Sequence, residues 1–260
     1  MIRPGICSVT FRHLPIEEIP AVVAPAGLEC IEWAGDVHVP PGDEATARRA
    51  RELTEAAGLA VASYGSYLRF EGTEEEVRAE GAAVLAAARA LGAPRIRVWA
   101  TRVPSTEASS EQRTEAARRI AEFADRAAEH GIEVGLEFHG GTLTDEIGST
   151  LRLLEEIDRE NVRSYWQPHQ DMPTAEALET LRQVLPRTST IHVFSWWPGS
   201  QRHPLAERED LWRGAFEILA AEGSDRDALL EFIPGDDPAV LPREAETLRT
   251  LLTGAREAIR

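Results

Sequence analysis

The stretch "TEEEVRAEGAAVLAAARAL" (Thr73–Leu91), followed at once by "GAPRIRVWA" (Gly92–Ala100), holds one complete structural unit. Its first part sets alanine, valine and leucine at helical spacing and leaves the charged residues between them, the pattern of an amphipathic helix. Gly92 follows, a residue that takes the left-handed conformation without steric cost and so ends the helix. A short apolar, β-branched run comes next, which predicts a strand. The same helix, glycine and strand order recurs in "AAGLA" around Gly58 and in "EHGIEV" around Gly131.

Strand-like runs continue outward from this unit in both directions. They are "GICSVTF" from Gly5, "LECIEW" from Leu28, "LAVASYG" from Leu59, "RIRVWA" from Arg95, "IEVGLEF" from Ile132, "VRSYWQ" from Val162, "TSTIHVFSW" from Thr188 and "DALLEFI" from Asp227. Helical stretches such as 111–130 lie between them. Strict alternation of strand and helix implies parallel strands, and eight repeats in a chain of 260 residues predict a single-domain (β/α)8 barrel over residues 1–260. No G-x-G-x-x-G follows the first run, which argues against a dinucleotide-binding fold.

Composition narrows the function. The formal charge of −16 opposes a phosphate backbone and speaks against nucleic-acid binding. No apolar run reaches the length of a membrane span, and the amino-terminal residues lack a secretion-signal pattern, so a cytoplasmic protein is expected. Cys7 and Cys30 sit inside apolar runs and read as reduced core residues. All 28 basic side chains are arginines, which removes Schiff-base chemistry and the P-loop lysine.

In a barrel of this kind the reacting groups stand at the carboxyl ends of the strands. There the fifth run delivers Glu137, the sixth Gln167, the seventh His192 and the eighth Glu231. Charged groups inside apolar runs are costly unless paired or bound to metal. Two carboxylates, an imidazole and an amide oxygen suit one divalent cation: Mg²⁺ or Mn²⁺ first, with Co²⁺ and Zn²⁺ tolerated.

The segments "IEWAGDVHVPPGD", "GLEFHGGTLTD", "YWQPHQD", "IHVFSW" and "LLEFIPGDD" resemble the xylose-isomerase-like TIM barrel superfamily of sugar phosphate isomerases and epimerases, over essentially the whole chain. That resemblance implies a metal held by Glu137, Gln167, His192 and Glu231, with Gln167 standing where most relatives have aspartate. It implies catalysis by Glu137 and Glu231 through proton abstraction next to a carbonyl, giving a metal-stabilised enediolate. A sugar or polyol-derived substrate and an isomerase or epimerase activity follow. The alternatives are a dehydratase of the inosose or dehydroshikimate type and a non-catalytic sugar-binding barrel. Endonuclease IV-like nucleases share the fold, but their extra ligands on strands two to four have no counterparts in "ASYGSY" and "RVWAT".

Expected substrate contacts are Trp33 and His38 after strand two, Tyr64 on strand three, Trp99 on strand four and His139 on strand five. His169, Trp196 and Arg202 complete the set from later loops. Flat aromatic faces suit the C–H surface of a sugar, and imidazoles can hydrogen-bond its hydroxyls. The expected partner is a small sugar or polyol, and the sequence is compatible with a homo-oligomer.

Overall fold

Eight parallel strands close on themselves in the order β1 to β8, so that β1 (Ile2–Cys7) pairs with both β2 (Cys30–Ala34) and β8 (Arg226–Leu230). Between these lie β3 (Ala60–Gly65), β4 (Arg95–Val98), β5 (Glu133–Glu137), β6 (Val162–Trp166) and β7 (Thr188–Val193). The structure, a computed structural model, describes residues 1–258. The helices are α1 (Ile19–Val23), α2 (Glu44–Ala56), α3 (Glu74–Leu91), α4 (Ser110–Ala128), α5 (Ile147–Ile157), α6 (Thr174–Val184), α7 (Glu209–Glu222) and α8 (Leu241–Ala258). The expected (β/α)8 barrel is the observed one. Among the described residues no helix is long and apolar enough to cross a membrane.

Local chemistry sets the joints. Thr73 and Glu76 form a reciprocal capping box at the start of α3, and Gly92 closes that helix at φ +71°. The first strand both starts and ends earlier than the run "GICSVTF" suggests, at Ile2 and Cys7. After Cys7 the chain turns into a 3-10 segment (Ser8–Phe11), because Ser8 Oγ accepts the Ala34 N–H at 2.8 Å and thereby takes a place that the strand ladder would otherwise fill. The sixth and eighth strands also stop early, leaving Gln167 and Glu231 one residue beyond their ladders.

The barrel interior carries many charges where aliphatic layers are usual. At the amino-terminal end Asp227, almost fully buried, accepts from Arg3 at 2.8 Å and from Arg95 at 2.5 Å, while Arg95 also lies 3.2 Å from Glu133. Above this layer the Tyr165 ring fills the centre, and Gly135 makes room for it: a Cβ there would fall 2.1 Å from the ring. Cys7 and Cys30 are buried and unbridged, as expected of reduced core residues.

Candidate metal centre and active site

At the carboxyl end of the barrel four buried side chains meet. Gln167 Oε1 lies 3.1 Å from His192 Nδ1, and one oxygen each of Glu137 and Glu231 lies 3.6 Å from the same nitrogen. None of the four residues is more than 7% exposed. Donor atoms bound to one small divalent ion sit about 3 Å from their neighbours, as bond lengths near 2.1 Å require. The spacing around Nδ1 is close to that, and Glu137, His192 and Glu231 each place a donor within 4.8 Å of the others. These residues therefore fit a divalent cation.

Each strand contributes by its alternation. Glu137 ends β5 with Gly135 below it on the same inward face. Its two oxygens divide their work: Oε1 faces His192, and Oε2 lies 3.0 Å from Nη1 of Arg97. Arg97, on β4, is fully buried, and its Nε lies 3.7 Å from Glu32 on β2. Gly65 makes this possible, because a Cβ there would stand 2.8 Å from Glu32 Oε1 and 3.1 Å from Arg97 Nη2. Glu32 in turn accepts from Ser63 Oγ at 2.6 Å and approaches His192 Nε2 at 3.5 Å.

These surroundings push the two candidate catalytic carboxyls apart. Burial drives Glu231 upward, and the neighbouring Glu137 adds to the rise against the opposing pull of His192. Burial acts on Glu137 in the same sense, but the Arg97 guanidinium and His192 outweigh it and hold that carboxyl below its usual range.

A cavity of about 190 Å³ opens above these groups. One wall is Trp99 stacked on His139 with centroids 4.1 Å apart, and the guanidinium of Arg69 lies 3.8 Å over the Trp99 ring. Phe194, Trp196 and Phe232 line it as a second aromatic group, with successive centroids 4.6 and 5.4 Å apart. Arg97 and Tyr67 also line the space. The result is a slot lined by aromatic rings, with charge at its floor.

Of the substrate contacts expected from the sequence, Trp99, His139 and Trp196 line this cavity, whereas Trp33, His38 and Tyr64 do not. Trp33 is fully buried and donates through Nε1 to Thr54 of α2 at 3.1 Å, so it packs outside the barrel between strand and helix. The Tyr64 hydroxyl donates to the Val39 carbonyl at 2.8 Å on the same outer side. His38 pairs with Ser8 Oγ at 2.9 Å and meets the edge of Trp33, which removes it from the reaction space. His169 donates to the Asp145 carbonyl at 2.7 Å and stacks on Phe138, which places it at the rim. Arg202 lies over Phe232 and pairs with Asp236, behind the aromatic wall.

Glu32, Ser63 and Arg97 also join the site, and none of them is among the residues expected from the sequence. A signal for two of them exists in the period of two: Glu32 lies between Ile31 and Trp33, and Arg97 between Ile96 and Val98, so each points inward while its neighbours pack outward.

Fold and floor together define a (β/α)8 barrel with a metal-competent carboxylate and imidazole centre. The description "Xylose isomerase-like TIM barrel" matches residues 20–251, and the chain belongs to that family. A 3-dehydroshikimate dehydratase from Bacillus anthracis is 30% identical over 172 residues, 62% of this chain, and the chain spans only 60% of that relative's length. The crystal structure of the probable 3-DHS dehydratase AsbF from the same organism superposes with a TM-score of 0.78 at 22% identity, covering 96% of this chain and 99% of that one. A xylose isomerase-like barrel from Mycobacterium smegmatis in complex with magnesium gives 0.71 at 18% identity, over 98% and 97% of the two chains. D-allulose 3-epimerase from Methylomonas sp. gives 0.71 at 17% identity, over 98% of each chain.

Proposed function

We propose that this protein is a divalent-metal-dependent dehydratase acting on a small cyclic hydroxy ketone that carries a carboxylate, of the 3-dehydroshikimate type. The observation that carries this reading is Arg97, a buried guanidinium opening onto the same cavity as Glu137, Gln167 and Glu231. Arg97 already faces Glu137 and Glu32, yet it also lines the cavity, so a carboxylate entering there gains a charge-assisted contact that an uncharged sugar does not make. The aromatic lining of the cavity, Trp99 and His139 together with Phe194, Trp196 and Phe232, suits an unsaturated ring. The similarity to a dehydratase over 172 residues supports the same choice.

Glu137, Gln167, His192 and Glu231 would hold the ion, Mg²⁺ or Mn²⁺ being the best match to three oxygens and one imidazole nitrogen. Once bound, such an ion polarises the ketone and offsets negative charge as it develops there. The protein's own groups supply the proton transfers. One of the pair Glu137 and Glu231 takes the proton from the carbon beside the ketone, and the other gives a proton to the hydroxyl on the next carbon. The C–H and C–O bonds break, a C=C bond forms and water leaves; enolisation, which moves a ring proton to the ketone oxygen, then makes the ring aromatic, with no external oxidant or reductant. The aromatic walls keep bulk water away from the ring during these steps.

Isomerisation or epimerisation begins with the same proton abstraction, so a direct comparison separates the readings. The purified protein loaded with Mn²⁺ is expected to convert 3-dehydroshikimate to an aromatic product, followed by ultraviolet absorbance. Ketoses in D₂O are expected to show no solvent deuterium incorporation by NMR. Deuterium exchange into ketoses with no absorbance change would replace this reading by an epimerase. Absence of both reactions, together with no metal retained in elemental analysis, would replace it by a non-catalytic barrel.

A further inference from the structure

Beyond β7 the chain runs Phe194, Ser195, Trp196, Trp197, and its side chains alternate between two cavities. Phe194 and Trp196 face the catalytic slot, whereas Ser195 and Trp197 face a separate cavity of about 430 Å³ bounded by the β7 to α7 loop and the start of α6. At the base of this second cavity lies Arg208, only 8% exposed. Its Nη2 donates to the Met172 carbonyl at 2.8 Å, but its Nη1 is buried with no hydrogen-bond partner, and it forms no ion pair among the described residues. Ser195, 3% exposed, also leaves its hydroxyl without a partner there. A buried charged N–H with no hydrogen-bond partner carries its full desolvation cost unless something else pairs with it.

The nearby acids, Asp171 and Asp210, act on Arg208 at longer range without forming an ion pair, and Asp171 accepts from the Gly199 N–H at 2.8 Å. Asp210 accepts from Thr174 Oγ1 at 2.8 Å, and Glu207 lies 3.1 Å from His203 Nδ1 at the outer edge. The Trp197 ring, 45% exposed, stands with its centroid 5.5 Å from the Arg208 guanidinium carbon and offers a flat apolar face above the charge. We propose that this cavity is a second binding site, for a small carboxylate with a flat ring body: the carboxylate takes the Arg208 guanidinium and the Ser195 hydroxyl, and the ring lies against Trp197. The inference rests on these residues alone and does not depend on the reaction proposed for the catalytic slot. Because Ser195 sits between two residues of the slot wall, occupancy here bears directly on Phe194 and Trp196.

Benzoate is the probe, with benzamide as its uncharged counterpart, and the indole N–H resonances of the full-length protein are the readout. Trp197→Phe identifies the Trp197 resonance. Benzoate is expected to shift that resonance saturably while benzamide leaves it in place. Ser195→Ala should weaken benzoate by about tenfold or more, as loss of a hydrogen bond to a charged group does. Arg208→Gln should abolish the shift. If that variant fails to fold, Arg208→Lys, which keeps the charge but loses the planar fork, should weaken benzoate measurably. Shifts confined to Trp99 and Trp196 would place benzoate in the catalytic slot and overturn the proposal. So would a Trp197 shift indifferent to Ser195→Ala, or no saturable shift at all.

Discussion

Glu32 Oε1 stands 3.5 Å from Nε2 of His192, the ring nitrogen opposite the one around which Glu137, Gln167 and Glu231 gather. A carboxylate at that position fixes which nitrogen carries the proton and raises the basicity of the other. Ser63 holds Glu32 in place through its 2.6 Å hydrogen bond. Glu32→Gln keeps the volume and the Ser63 contact but removes the charge. It is expected to lower Mn²⁺ affinity by roughly 10 to 100-fold, the usual cost of losing such an outer partner. Isothermal titration checks this, and unchanged affinity would reduce Glu32 to a partner of Arg97 alone.

Gln167 brings a neutral amide oxygen to a position 3.1 Å from His192 Nδ1. Hard divalent ions gain affinity with each added ligand charge. Gln167→Asp is therefore expected to tighten Mn²⁺ binding by roughly tenfold or more, by the same charge argument. The shorter side chain tests geometry as well, so Gln167→Glu serves as its companion. If neither variant changes the dissociation constant, the amide lines the cavity without touching the ion.

Arg97 separates two buried carboxylates, at 3.0 Å from Glu137 and 3.7 Å from Glu32. Arg97→Met would remove the guanidinium that both face and leave His192 as their remaining buried partner, an effect of up to about 3–5 kcal/mol in comparable buried pairs. In the metal-free protein the melting temperature should fall sharply. Added Mn²⁺ should restore part of that loss, because the ion supplies positive charge beside Glu137. On the proposed substrate the same variant should raise KM more than it lowers kcat, since the group lost holds the carboxylate. A larger fall in kcat at unchanged KM would assign Arg97 to the chemistry instead.

Much of this architecture is legible in the chain itself. Gly58, Gly92 and Gly131 all take positive φ where their helices end, and every apolar run overlaps a strand, with β1 starting three residues ahead of its run. Glu137, Gln167, His192 and Glu231 stand out because each is a polar residue at or near the finish of an apolar run, and a parallel barrel gathers all such finishes at one end. Glu32 and Arg97 lie in the middle of their strands, and their meaning depends on partners on neighbouring strands, a relation that spacing along one run does not contain. Trp33 and Tyr64 resemble substrate contacts because they stand near strand ends. In a strand, however, the neighbour of an inward Glu32 must point outward, and Trp33 does so against Thr54. For the loop residues His38, His169 and Arg202 there is no such period, and only the folded loops decide which face they take.

At the opposite end of the barrel, Arg226 is a buried clamp. It donates to the carbonyls of Thr188 and Leu185 at 3.0 Å each, and to Glu222 at 2.5 Å. The hydrogen bond from Arg226 is the main reason that the Glu222 carboxyl is held at about 2, below the ordinary 4.5. A carboxyl lowered on folding stabilises the native state fully above its unfolded value and loses that contribution as pH falls through the folded one. Glu222→Gln should therefore lower the melting temperature by a constant amount above about pH 5. The gap should narrow on acidification and be nearly closed at about pH 2, where half of the wild-type carboxyl is itself protonated. Thermal melts of both proteins across this range test the assignment, and a gap that persists at pH 2 would show that the variant acts through packing and not through the charge on Glu222.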